Sequence, residues 1–233
     1  MAVYKRELKL ALMNTLPVVA GYLVMGFGFG VLLISRGYPL VWALLMSVFI
    51  YAGSMQFVTI DMLAGGASLA TAALMTLLIN ARHLFYGISM LDKYRHVGRA
   101  KPYLIFSLTD ETYSVLCAQE PPAGFDRKRY YLYVSTLGHL YWVMGTALGA
   151  TAGEVLSISV KGIEFSMTAL FVVVMVEQWM QSRNRLPAVI GAGCSLVSLL
   201  LFGPDNFIPP AMGLMLLLLT LLRPYTEERG LRA

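Results

Sequence analysis

Apolar residues in this chain come in long runs broken by short polar or charged stretches. Eight runs can be drawn, over residues 15–34, 40–60, 68–91, 102–117, 131–150, 165–179, 187–202 and 208–222. A helix needs about 20 mostly apolar residues to cross the ~30 Å hydrocarbon core of a bilayer, at about 1.5 Å per residue. The first three runs and the fifth are long enough. The other four hold 15 or 16 residues and read as short tilted spans or re-entrant half-helices. No hydrophilic stretch is long enough for a soluble domain. The pattern predicts an all-α polytopic membrane protein, a single transmembrane domain over residues 1–233 with seven to eight helical segments.

Composition narrows the function classes. Of 233 residues, 58% are hydrophobic and 13% charged, against about 25% charged in an ordinary soluble domain. That excludes a soluble enzyme, a disordered tail and a nucleic-acid-binding domain. Lys and Arg number 18 against 13 Asp and Glu, a net charge of +5, which reads as loops facing anionic lipid. Cys117 and Cys194 lie singly inside apolar runs and read as inert packing residues. The basic stretch Tyr4–Lys9 begins like a signal peptide. The apolar run nevertheless continues past Pro17 to Ile34 without a small-x-small cleavage site, so it reads as part of the mature chain. HExxH, GxSxG and Walker patterns are absent from the sequence, so neither an enzyme nor a cofactor or metal is expected.

Positive-inside counting exposes a conflict. The loop with Lys93, Arg95, Arg99 and Lys101 and the loop with Arg127, Lys128 and Arg129 should both be cytoplasmic, yet one crossing lies between them. The simplest reconciliation is that the fourth segment enters and leaves on the cytoplasmic face. The same count puts the N-terminus outside, against the pull of Lys5, Arg6 and Lys9. Segments one to three and five to seven each open with a Gly-rich helix, with Gly21, Gly26, Gly28 and Gly30 in one and Gly138, Gly145, Gly149 and Gly153 in the other. With a fourth segment that does not cross, the two trios would run in opposite directions, an inverted repeat of three-helix units.

The candidate chemistry lies in ionisable residues at membrane depth, where a charge costs at least about 2.5–3.5 kcal/mol. They are Arg82, Asp110, Glu111 and Glu177, with His83 and His139. Asn80, His83 and Gly87 share a helical face that turns away from Arg82. Arg82 either fixes a carboxylate or neighbouring acid, or snorkels toward the Lys93 loop. Asp110 and Glu111 are adjacent acids that would repel in a low dielectric, so one of them suits ammonium binding or proton exchange, unless they neutralise Arg82 as a structural pair. Gly26, Gly28 and Gly30 serve either close helix packing or a broken helix whose amides meet a substrate carboxylate. Gln56 either bridges helices or lines the cavity. His139 reads as a helix-to-helix hydrogen bond and Glu177 as an interfacial ion pair with Arg183. Tyr130, Tyr131, Tyr133, Trp142 and Trp179 read as interface anchors and packing.

Several stretches resemble the AzlC-type branched-chain amino acid permeases: the Gly-rich first run, Tyr51–Phe57, Gly66–Ser68 and, most specifically, Leu78–Gly87 with its Asn80-Ala81-Arg82-His83 core, followed by Leu108–Thr112. The resemblance implies an inner-membrane exporter of valine, leucine and isoleucine, in some members methionine. Export would be driven by the proton motive force, with a small AzlD-type membrane subunit as partner. The patterned positions carried over are Gln56, Asn80, Arg82, His83, Asp110 and Glu111. The expected reading is alternating access with a free amino acid as cargo and the lipid bilayer as surroundings. Alternatives are an uncoupled channel-like pore or an assembly subunit of another small-solute transporter.

Overall fold

The computed structural model describes residues 2–156, 165, 172, 175–176, 179–180, 185–203 and 207–222, and every regular element among them is helical. The chain divides into two compact units, Met1–Met167 and Thr168–Ala233. The first holds α1 (Ala2–Ser35), α2 (Leu40–Phe49), α3 (Gly53–Ala64), α4 (Leu69–Ser89), α5 (Lys101–Phe106), α6 (Asp110–Ala118) and α7 (Arg127–Leu156). The second holds α8 (Leu186–Phe202) and α9 (Ile208–Leu221), two apolar helices packed on each other. The sixth predicted segment, with Glu177 and Arg183, lies largely outside the described residues.

The frame of the first unit is the pair α1 and α7. Glu7 Oε1 accepts the Asp126 amide at 3.3 Å, and Asn14 donates to the Tyr130 hydroxyl at 2.8 Å. Farther along, Gly26 faces Trp142, Gly30 faces Thr146, and Gly153 faces Ile34. Residue numbers rise together on both helices, so α1 and α7 run parallel. Glycines let the two backbones touch. A Cβ on Gly26 would sit 2.8 Å from the Trp142 carbonyl oxygen, and one on Gly145 would sit 2.8 Å from that of Leu23. On Gly149 it would fall onto the backbone of Phe27.

The second segment, expected as one span over 40–60, is instead a helical hairpin. The α1 helix ends at Gly37, whose φ of 86° reverses the chain, and Pro39 leads extended backbone into α2. Leu40 meets Glu154 near the far end of α7, Ser47 meets Thr146 lower down, and Tyr51 reaches Gly138. The α3 helix then climbs back: Phe57 packs on Phe29, and Asp61 pairs with Arg36 at 3.6 Å. At 10 and 12 residues, the two arms are each about 15–18 Å long, roughly half a bilayer core.

The fourth segment also folds back on itself, from the end opposite to the first hairpin. Its arms are α5 and α6, broken at Ser107–Thr109. Tyr103 and Phe106 of α5 reach the His139 ring, whereas Lys93, beside the base, bonds the Leu116 carbonyl and Glu120. Between the hairpins α4 runs for 21 residues from the outer end of the first unit to the basic end. Of the described helices, α1 over Arg6–Ser35, with mean hydropathy 2.1, is long and apolar enough by itself to cross a membrane. The α4 and α7 helices carry Asn80, Arg82, His83 and His139 at the depth of the hairpin tips.

Two expectations are corrected by this geometry. The N-terminus lies at the same end as the loops carrying Lys93 and Arg127–Arg129, because the second segment turns back instead of crossing. Lys9, Arg95, Arg99 and Lys128 therefore share one end, and the positive-inside conflict disappears. The Gly-rich helices that open the two trios run the same way, so those trios are not inverted copies. Apolar packing follows the hairpins: Leu104, Leu108, Val115, Leu116, Tyr130 and Val134 cluster at the basic end, and Phe29, Leu33, Ala43, Phe57, Ile60 and Ala150 at the other.

Two outcomes test this frame. Gly149→Ala should cost about 1–3 kcal/mol through overpacking and lower the melting temperature in detergent, whereas Gly21→Ala, with nothing within 4 Å, should not. In a background with both native cysteines replaced, His96→Cys and Ala123→Cys should react with an impermeant maleimide only after permeabilisation. Ala67→Cys should react in intact cells.

Candidate functional site

The two hairpin tips meet against Tyr22 of α1 and Gly138 of α7. Each tip is unwound backbone at membrane depth, tolerated only where protein or a polar cavity satisfies it. At the outer tip Tyr51 adopts a φ of 44°, a conformation that costs a bulky side chain about 1–3 kcal/mol and concentrates at functional sites. The Tyr51 ring is 3% exposed and stacks on His139, with centroids 4.3 Å apart. At the inner tip Thr109 caps α6, its hydroxyl accepting the Thr112 amide at 3.3 Å. Asp110 and Glu111 occupy the first turn of α6, where the helix dipole favours negative charge. The α3 helix starts at Gly53 without a side-chain cap or an acidic residue in its first turn, so its positive end is uncompensated by its own side chains.

Arg82 of α4 joins the two tips. Its Nη2 donates to Ser54 Oγ in the first turn of α3 at 2.8 Å, and its Nη1 lies 2.8 Å from Asp110 Oδ2 in the first turn of α6. Snorkelling is thereby ruled out, and the expected face of α4 is corrected: the side chain that turns to the tips is Arg82. Glu111 points elsewhere. Its Oε2 accepts the Tyr22 hydroxyl at 3.0 Å, and the same hydroxyl is hydrogen-bonded to Thr109. The two neighbouring acids thus have different partners, a cation for one and a phenol for the other.

The remaining expected residues divide. Asn80 is partly buried on α4, one turn from His83. His83 meets the edge of Tyr86, which stacks on Tyr113 of α6 with centroids 4.5 Å apart. Gln56 is fully buried and faces α7, its Nε2 donating to Ser47, which in turn bonds Thr146. His139 meets the Ser47 carbonyl at 3.2 Å, as a helix-to-helix bond. Arg82 Nε and Asp110 Oδ1, on the two partners of the ion pair, are buried without a hydrogen-bond partner among the described residues, as are Asn80 Oδ1 and, toward α7, Gln56 Oε1; polar capacity left at the pair suits a polar ligand. Gly26 and Gly30 are not at the tips. The α1 helix is continuous through them, their amides belong to its own ladder, and they press on α7; Gly28 is buried in the same helix. A substrate carboxylate therefore has no free amides to meet there.

Sequence reasoning missed Tyr22, and it singled out the Tyr51–Phe57 and Leu108–Thr112 stretches without giving Tyr51, Ser54 or Thr109 a role. The available signals were slight: a tyrosine inside a glycine-rich apolar run, and one directly before Ala-Gly in the middle of a span. Among the described residues no group of His, Cys, Asp and Glu has the arrangement of a metal site.

The Arg82–Asp110 pair is about one-third exposed on each side, between the surface and fully buried regimes. A double-mutant cycle of Arg82→Gln and Asp110→Asn, followed by thermal unfolding in detergent, should give a coupling energy of about 1–3 kcal/mol.

The chain matches the AzlC protein family over residues 17–156. It is 44% identical, over 92% of its length and 84% of the relative's, to the branched-chain amino acid transport protein AzlC of Bacillus subtilis. It is 40% identical to an uncharacterized membrane protein of Helicobacter pylori, over 96% of this chain and 98% of that one. Over 80% of each chain it is 29% identical to the inner membrane protein YgaZ of Escherichia coli. No solved structure matches. The chain belongs to the AzlC protein family and is a multi-pass inner-membrane transport protein rather than an enzyme.

Proposed function

We propose that this chain is the large subunit of a two-component exporter of branched-chain amino acids. Its cargo is valine, leucine and isoleucine, with methionine as a further substrate, and export is driven by the proton motive force through alternating access. The observation that carries the reading is the pairing of opposite charges at the hairpin tips. Arg82 and the uncapped start of α3 stand on one side, and Asp110 and Glu111 stand on the other. A zwitterion fits that arrangement, carboxylate toward Arg82 and the α3 amides, ammonium toward the acids. The relative named for branched-chain amino acid transport, 44% identical, supports the apolar side chain of the cargo.

Alternating access is favoured by a helix-then-hairpin unit used twice in opposite senses. The α1 helix is followed by a hairpin from the outer end, and α4 by one from the basic end. Movement of one hairpin at a time would open the tips to one side only. A small AzlD-type subunit is the proposed partner. Its need for a lipid-embedded surface is consistent with α4, which buries no residue fully and exposes Leu77, Leu84, Phe85 and Ile88.

In cells lacking native exporters and loaded with dipeptides, co-expression with an AzlD-type small membrane protein should produce efflux of isoleucine, leucine and valine that collapses with an uncoupler. Flux that ignores the proton gradient and does not saturate would replace the transporter by a pore.

A further inference from the structure

Two adjacent acids share the tip region, and there is one guanidinium between them. Its two terminal nitrogens are committed, one to Asp110 and one to Ser54. Glu111 comes one residue later on α6, so its side chain leaves the helix about 100° farther round and meets α1 instead. There it accepts the Tyr22 hydroxyl, and among the described residues it has no ion pair.

The charged and titratable groups around Glu111 do not neutralise it. From α1 comes Tyr22 and from the outer tip Tyr51, both uncharged at neutral pH and able to offer the carboxylate a hydrogen bond but no positive charge. From α6 comes Asp110, a like charge. From α4, Arg82 reaches the pair through Asp110, and Tyr86, stacked on Tyr113 of α6, brings a neutral phenol near the same two acids. From α7, His139 is stacked on Tyr51 and bonded to the Ser47 carbonyl, and from α5, Tyr103 is turned to His139. A carboxylate held at membrane depth without a cation costs several kcal/mol. Two cations available to this site can remove that cost, a proton or a primary ammonium group. One carboxylate cannot hold both.

We propose that Glu111 is a single acceptor occupied in turn by a proton and by the ammonium group of the cargo, so that binding an amino acid displaces one proton. The inference rests on the amino acid reading above and deepens it. Asp110 is then the positioning residue, holding Arg82 between the hairpins for the cargo carboxylate, and Glu111 is the exchange site. Reciprocity follows from linkage: acid weakens cargo binding by as much as cargo favours proton loss. An acidic exterior protonates Glu111 and releases the cargo there, and the cytoplasm accepts the proton when the next molecule binds. Export against a gradient needs no second coupling site.

The test uses the purified full chain in detergent with its small membrane partner. Isoleucine added to weakly buffered protein with a pH-sensitive dye should release about one proton per isoleucine bound in the parent, and none in Glu111→Gln. In proteoliposomes the same variant should lose accumulation driven by a pH gradient, and the isoleucine binding it retains should be weaker and no longer fall as the pH is lowered. A proton released by Glu111→Gln, or its accumulation driven by a pH gradient, overturns the assignment; so does isoleucine binding by Glu111→Gln that weakens in acid as steeply as in the parent. A readout without cargo separates this inference from the function it rests on. The infrared band of a protonated carboxylic acid should vanish on raising the pH in the parent and be diminished in Glu111→Gln. The difference between variants is the quantity to read because Glu7, buried at the basic end, is a further acid with an unpartnered oxygen. An unchanged band overturns the role of Glu111 whether or not isoleucine is the cargo, whereas the expected band with no isoleucine binding upholds the proton site and removes the proposed substrate.

Discussion

The backbone contact between α1 and α7 is the constraint on which the first unit depends. Lipid gives two helices no hydrophobic reason to associate, so close packing of small residues has to supply the attraction. Gly26, Gly30, Gly145 and Gly149 let the helices meet main chain to main chain. That contact presents a double rail along which both hairpins seat. The inner one packs around Tyr130 and Val134, the outer one around Phe29 and Ala150. With a side chain at these glycines the rail would widen, and Tyr22 would no longer reach Thr109 and Glu111.

Seating the hairpins solves a problem that membrane depth imposes. Unwound backbone in mid-bilayer must find partners within the protein, and here each tip has its own: Thr109 caps α6, and Ser54, opening α3, is held by Arg82. The guanidinium spans the junction without belonging to either hairpin. A rigid clamp to both tips would freeze them, so movement of one hairpin requires an exchange of partners at Arg82. Asp110, with an unpartnered buried oxygen, and a bound carboxylate are the groups that could make that exchange. Tyr51 holds a left-handed backbone at the same place, a conformation that costs a bulky residue about 1–3 kcal/mol.

Much of the site was legible because intramembrane charges are rare enough to be conspicuous. Arg82, Asp110 and Glu111 stand out from composition alone, and the structure brings them to one junction. The resemblance in Asn80–His83 and Thr109–Thr112 pointed to the same place. The glycines were legible only as alternatives, since a run such as Gly26–Gly30 serves a helix contact and a broken helix equally well until its neighbour is known. Gln56 was legible only as alternatives for a related reason. A lone amide at depth signals a partner, and whether that partner is a helix or a cargo depends on which way the hairpin faces.

The sequence by itself determined the solvent of this protein, its helical class, the basic end and the residues too costly to be incidental. Each follows from local terms: the transfer energy of apolar runs, the bias of Lys and Arg, and the cost of a charge in lipid. Only the tertiary structure decided that the 40–60 run turns back at Tyr51. Hydropathy measures how much apolar surface a segment carries and not its direction, so a span and a hairpin of equal length look alike. That reversal moved the N-terminus to the basic end and set α1 parallel to α7. It also separated two adjacent acids into one that holds Arg82 and one that faces Tyr22, because partners across 28 and 89 residues of chain are chosen by packing and not by neighbours in sequence.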